Sequence, residues 1–120
     1  MTDEPKFLTQ WKERQRQQRR RFRALAEATR DDLDKIVAVL VERYGVRRVI
    51  LFGSLSKGRF TDRSDIDLAV EGLARADFYA ALAAVNRVTA RWVDLKPLED
   101  LDPFFRERVL RGEVLFPKGI

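Results

Sequence analysis

The sequence predicts an α/β sandwich preceded by a long, basic helical arm. Three observations carry this reading. An apolar stripe at helical spacing runs through the first forty residues, short β-rich runs bounded by glycine follow it, and the net charge of +5 resides at one end of the chain. Residues 1–30 hold nine basic side chains against four acids, whereas the rest of the chain is balanced at 15 of each. The high isoelectric point therefore describes an arm attached to a neutral domain, and it does not mark the whole protein as a nucleic-acid binder.

Phe7, Trp11, Phe22, Leu25, Leu33, Ile36 and Leu40 share one face at about 100° per residue. This predicts one long helix, or two nearly coaxial ones, from Phe7 to Tyr44, with Gly45 as the stop. Gln15 and Gln18 thin the stripe, and Thr29, three residues before Asp32, offers a competing cap for a second helix. The expected division is an arm over 1–30 and a domain over 31–120. The plainest expectation for the arm is a solvated, partly helical extension with no specific role; the sharper one is that Phe7, Trp11 and Phe22 need a partner surface, for which protein docking fits the aromatic stripe and nucleic acid is less favoured.

After Gly45, Val46 to Phe52 reads as a buried strand ending at Gly53-Ser54. Leu55 to Lys57 suits a short helical turn, and Gly58 to Ser64 a loop in which Phe60, Asp62 and Arg63 have no special role. Asp65 to Val70 is the second strand, closed by Gly72, and Ala76 to Val88 is an Ala-rich helix of the core. Ala90 to Leu95 reads as a third strand with Trp92 and Asp94 on one face. Pro103 fits the first turn of a helix from Asp102 to Arg111, in which Phe104-Phe105 are expected in the core, and Glu113 to Phe116 suits a short edge strand.

With 120 residues, 45% of them hydrophobic, the chain has material for one real core. No run has the 18 or so apolar residues of a membrane span, and the N-terminus is charged where a signal peptide is apolar, so the expectation is a soluble, cytoplasmic protein. Zero cysteines exclude disulfides and thiolate chemistry, and zero histidines remove the usual general base. Catalysis would have to run on carboxylates, hydroxyls, Lys and Arg.

Asp65 and Asp67 are the sharpest signal. Residues i and i+2 of a strand project from one face, so two acids within an apolar run would be aimed at one place. Their repulsion calls for a cation, and Mg²⁺ takes hard oxygen ligands of this kind. Upstream, Phe52-Gly53-Ser54 at a strand end supplies a residue without a side chain, a hydroxyl and free amides, which together suit a phosphate. Gly-Ser alone marks many ordinary turns. The four positions Gly53, Ser54, Asp65 and Asp67 at this spacing would coincide by chance roughly once in a thousand chains of this length.

On these residues, with Val93-Asp94-Leu95 downstream, the chain resembles the polymerase-beta-like nucleotidyltransferases, and specifically their minimal nucleotidyltransferase (MNT) domains, over about Val46 to Phe116. The resemblance implies a small mixed sheet of three to four strands packed against helices. It assigns Gly53 and Ser54 to the nucleotide triphosphate, Asp65, Asp67 and Asp94 to Mg²⁺, and, with no histidine present, Asp94 to accepting a proton. Lys57 and Arg59 lie where either would neutralise β and γ phosphates, Arg59 serving equally well to structure the loop. It further implies ATP as substrate and, as in similar stand-alone MNT domains, an antitoxin role beside a helical HEPN toxin whose tyrosine receives AMP. The alternative expectations are a binding module that neutralises or scaffolds a partner without turnover, and a nucleic-acid-associated protein using the arm.

Overall fold

A computed structural model describes residues 3–119. The chain runs α1 (Lys6–Ala38), a π-helical turn (Val39–Arg43), β1 (Arg48–Phe52), α2 (Gly53–Ser56), β2 (Ile66–Glu71), α3 (Phe78–Arg87), β3 (Val93–Pro97), α4 (Pro103–Leu110) and β4 (Glu113–Phe116). The four strands form one mixed sheet in the order β3-β2-β1-β4, with β2 and β3 parallel and the other pairs antiparallel. The expected α/β architecture, mixed sheet and long helical arm are all present.

The first helix is unbroken. Thr29 is buried, and its hydroxyl donates to the Leu25 carbonyl at 2.7 Å, one turn back, so it sits inside the helix and caps nothing. The helix therefore passes through residue 30 without a boundary. It ends in the π-turn, and Gly45 at φ 66° reverses the chain in the left-handed conformation expected of a helix stop. From Leu25 onward the helix lies on the domain through Leu33, Ile36 and Leu40; before that it projects, which stretches the molecule to 65 × 31 × 29 Å.

Strand alternation divides the core into two layers. Val49, Leu51, Ile66, Leu68, Val70, Val93 and Leu95 face α1 and α3 in the main cluster, and Ile50 and Ala69 face α4 in a smaller one with Leu98 and Val109. Burying each of the larger side chains contributes on the order of 1.5–3 kcal/mol before entropy is counted. Several boundaries differ from expectation. The third strand begins at Val93, because Arg91 turns aside to bond loop carbonyls and Trp92 is left exposed ahead of the strand. The third helix begins at Phe78, after a 3₁₀ turn over Arg75–Asp77. Phe60 belongs to the core, beneath the Arg91 guanidinium at 5.6 Å, whereas Phe104 points outward at 87% exposure. Among the described residues no helix is long and apolar enough to cross a membrane.

Candidate active site

The site lies on the α4 side of the sheet, where the strands stop being covered. Register builds it: Phe52 on β1 pairs with Asp67 on β2, which pairs with Asp94 on β3. Asp67 and Asp94 thus stand side by side on parallel strands, and alternation gives Lys96 the same face as Asp94. Lys96 Nζ donates to Asp94 Oδ2 at 3.0 Å. Asp65 lies in the turn just before β2, not on the strand as expected, since pairing starts at Ile66, whose amide donates to the Trp92 carbonyl. Its charge nevertheless reaches Asp67.

Partial burial pushes the Asp67 carboxyl above the ordinary carboxylate range, and repulsion from Asp94 and then Asp65 pushes it further, with Lys96 opposing. Among the described residues no three acidic side chains form a ready-made cation cage. The donor set still fits a hard divalent ion: all the ligands are carboxylate oxygens, two of them are in register, and a cation would relieve the strain that raises Asp67.

Gly53 follows Phe52 directly, at φ 77°, a conformation that L side chains rarely adopt. A Cβ there would collide with Asp67 Oδ2, so the glycine lets the turn backbone sit against the acid. Ser54 is the next residue of the same turn, and its carbonyl accepts from the Arg59 amide at 2.8 Å, closing the loop start. The two basic candidates part company. Lys57 lines a groove of about 600 Å³ with Phe52, Gly53, Phe105, Arg108 and Arg111. Arg59 is exposed on another groove, facing Arg19 and Arg23 of the arm.

Sequence reasoning missed five side chains around this site. Lys96 was legible as the i+2 neighbour of Asp94 on a strand. Arg108 and Arg111, from the far end of α4, enter only because α4 folds back over β1, which adds two cations to Lys57 beside the Gly53 turn. Arg91 bonds the carbonyls of Asp62 and Ser64, both at 2.7 Å, and so holds the loop that delivers Asp65. Asn86 does the same for β3: its Oδ1 accepts from the Val93 amide at 2.7 Å and its Nδ2 donates to the Val93 carbonyl at 3.2 Å, fixing the residue before Asp94.

A glycine turn is pressed against one of two in-register carboxylates beside a cationic groove, an arrangement whose chemistry suits a phosphate-bearing ligand. Comparison with known proteins gives the particular family. The model described as Polymerase beta, Nucleotidyltransferase matches residues 34–119, and the chain belongs to that family. A Methanocaldococcus jannaschii protein provisionally named as a protein adenylyltransferase is 29% identical over 83 residues, covering 67% of this chain and 88% of its own length. A solved structure provisionally described as a minimal nucleotidyltransferase superposes with a TM-score of 0.63 at 31% identity, covering 72% of this chain and 91% of that one. The domain is of the minimal nucleotidyltransferase kind.

Proposed function

We propose that the protein is a Mg²⁺-dependent nucleotidyltransferase that moves AMP from ATP to a hydroxyl on a partner protein, a tyrosine of a helical HEPN-type toxin, and so acts as its antitoxin. The observation that carries the transfer chemistry is the Gly53 backbone packed against Asp67 with Asp94 in register beside it. The protein acceptor is supported by the relative provisionally named as a protein adenylyltransferase.

In this reading Asp65, Asp67 and Asp94 hold Mg²⁺, which when bound neutralises phosphate charge and lowers the pKa of the attacking hydroxyl. Gly53 and Ser54 receive the triphosphate, and Lys57, with Arg108 and Arg111 across the groove, balances its charge. The acceptor oxygen attacks the α-phosphorus in line. A new P–O bond forms as the bond to the β-phosphate oxygen breaks, pyrophosphate leaves, and the hydroxyl proton passes to Asp94, which Lys96 positions through Oδ2. Catalysis comes mainly from placement and charge.

The test is to incubate the protein with Mg²⁺, α-labelled ATP and a HEPN-type partner, with Asp65→Ala and Asp67→Ala alongside. Label on a partner tyrosine with wild type, and none with either variant, is expected. If the partner stays unlabelled, or is labelled equally by the variants, the proposal fails.

A further inference from the structure

The arm lies outside the family match, which begins at residue 34, so the shared domain does not account for it. Its geometry is specific. From Leu8 the residues Leu8, Trp11, Gln15, Gln18, Phe22, Leu25 and Thr29 alternate at spacings of three and four, the a and d seam of a coiled coil. The last two are occupied: Leu25 packs on the core and Thr29 is buried. The same stripe then runs off the end of the domain, and on this free stretch Trp11 is 51% exposed, with neighbouring Phe7 at 73%.

The flanks of that seam carry one sign of charge. Between Leu8 and Phe22 the e and g positions are Lys12, Arg14, Arg19 and Arg21, all basic. Over residues 6–24 the helix has eight basic side chains and a single acid, Glu13, which pairs with Arg16; Lys12 pairs with Glu4 just ahead of the helix, and Arg14, Arg19 and Arg21 keep the flanks of the seam basic. A second copy of this helix, parallel or antiparallel, would set these cations against one another. An acidic helix would pair with them on both sides of the seam. The free end of the seam meets the domain at a groove of about 410 Å³ where Arg19, Arg23 and Arg59 surround Phe22 and Phe60.

We infer that the arm is a docking rail for an acidic amphipathic helix of a partner protein, which lays its apolar stripe on Leu8, Trp11 and Phe22 and its carboxylates on Lys12, Arg14, Arg19 and Arg21. Gln15 and Gln18 form polar layers within the seam that set its register. The aromatic seam distinguishes this surface from a polyanion site, which needs only the cations. The rail seats its occupant against the loop containing Arg59, which leads on to Asp65, and it works whether or not the site turns over.

The test uses the full chain with Trp92→Phe, leaving Trp11 as the sole indole. The probe is a synthetic peptide of about four heptads with Leu at a and d and Glu at e and g; a twin with Lys at e and g is the control. The Glu peptide is expected to shift Trp11 emission to the blue and to bind at least about tenfold more tightly than its twin. Phe22→Gln should weaken it by a similar factor, and the triple change Arg14→Glu, Arg19→Glu and Arg21→Glu should transfer the preference to the Lys peptide. Asp67→Asn should bind as well as its parent, which separates this result from any failure of nucleotide transfer. Equal binding of both peptides, or of neither, overturns the inference. So does a single-stranded RNA that displaces the Glu peptide and binds Phe22→Gln unchanged, which marks a polyanion site, or self-association of the chain that Phe22→Gln abolishes.

Discussion

On the helix-covered face of the sheet, Leu51, Leu68 and Leu95 lie in register across β1, β2 and β3, with exposures of 0%, 0% and 3%. One residue away on the same three strands, Phe52, Asp67 and Asp94 form a second row that is half-open and charged. The first row gains its free energy from exclusion of water; the second gives some of it up by holding like charges together. The backbone is the same for both rows. The difference lies in what covers them: α1 and α3 close the first, while α4 covers Ile50 and Ala69, reaches Phe52 through the Phe105 ring, and stops short of the acids. The candidate site occupies the part of the sheet that the helices leave most open.

The contrast breaks most completely at Asp67. Asp67→Asn should reduce nucleotide transfer by about a thousandfold or more, on the scale of losing a principal charge-stabilising group, as measured by labelled-nucleotide transfer, and it should leave the fold intact. The mirror experiment is Leu68→Ala, one residue on. A cavity on the covered face should cost about 2–5 kcal/mol in denaturant unfolding, with little change in activity per folded molecule at low temperature.

Gly53→Ala tests the join between the rows. A Cβ at φ 77° and against Asp67 Oδ2 should cost about 1–3 kcal/mol and displace the carboxylate, so that stability and transfer fall together. Proton linkage sharpens the comparison further. Since the folded state raises the Asp67 pKa, its carboxyl in the metal-free protein should titrate, by NMR, above an ordinary aspartate, and Lys96→Met, which removes the opposing charge, should move it higher still. The folded state holds the Asp67 proton more tightly than the unfolded chain, so this group favours folding at low pH and the advantage is lost as pH rises through the folded pKa. Asp67→Asn should therefore raise Tm slightly at neutral pH, by less than a buried carboxyl would, because solvent screens it. The smallest effect is expected at the Arg30–Glu113 ion pair, which ties α1 to β4 at 2.8 Å. Its partners are part-exposed, and Arg30→Ala should cost about 1 kcal/mol or less, readable as a small drop in Tm.

Much of this was legible in the chain, because local rules were enough for it. The apolar stripe gives the long helix and its stop at Gly45, and the Gly53-Ser54 to Asp65-x-Asp67 spacing identifies the family. The errors have local causes as well. Ala90 to Trp92 has the composition of a strand, yet the strand begins only at Val93, and Arg91 instead makes its side-chain bonds to Asp62 and Ser64, residues nearly thirty positions earlier. Alternation alone places Asp65 on the strand, because it takes no account of where the partner strand begins.

Sequence by itself determined which glycine and acids are candidates for the site and which runs must be buried, since hydrophobic period, glycine conformation and acid spacing are properties of neighbours along the chain. Tertiary structure alone decided which charges share the site. Parallel pairing of β2 with β3 brings Asp94 and Lys96 to Asp67, and the return of α4 over β1 brings Arg108 and Arg111 to Gly53, while Arg59, close to Gly53 in sequence, is carried off to the arm. Electrostatic energy depends on distance through space, and strand register and helix packing, not sequence separation, set that distance.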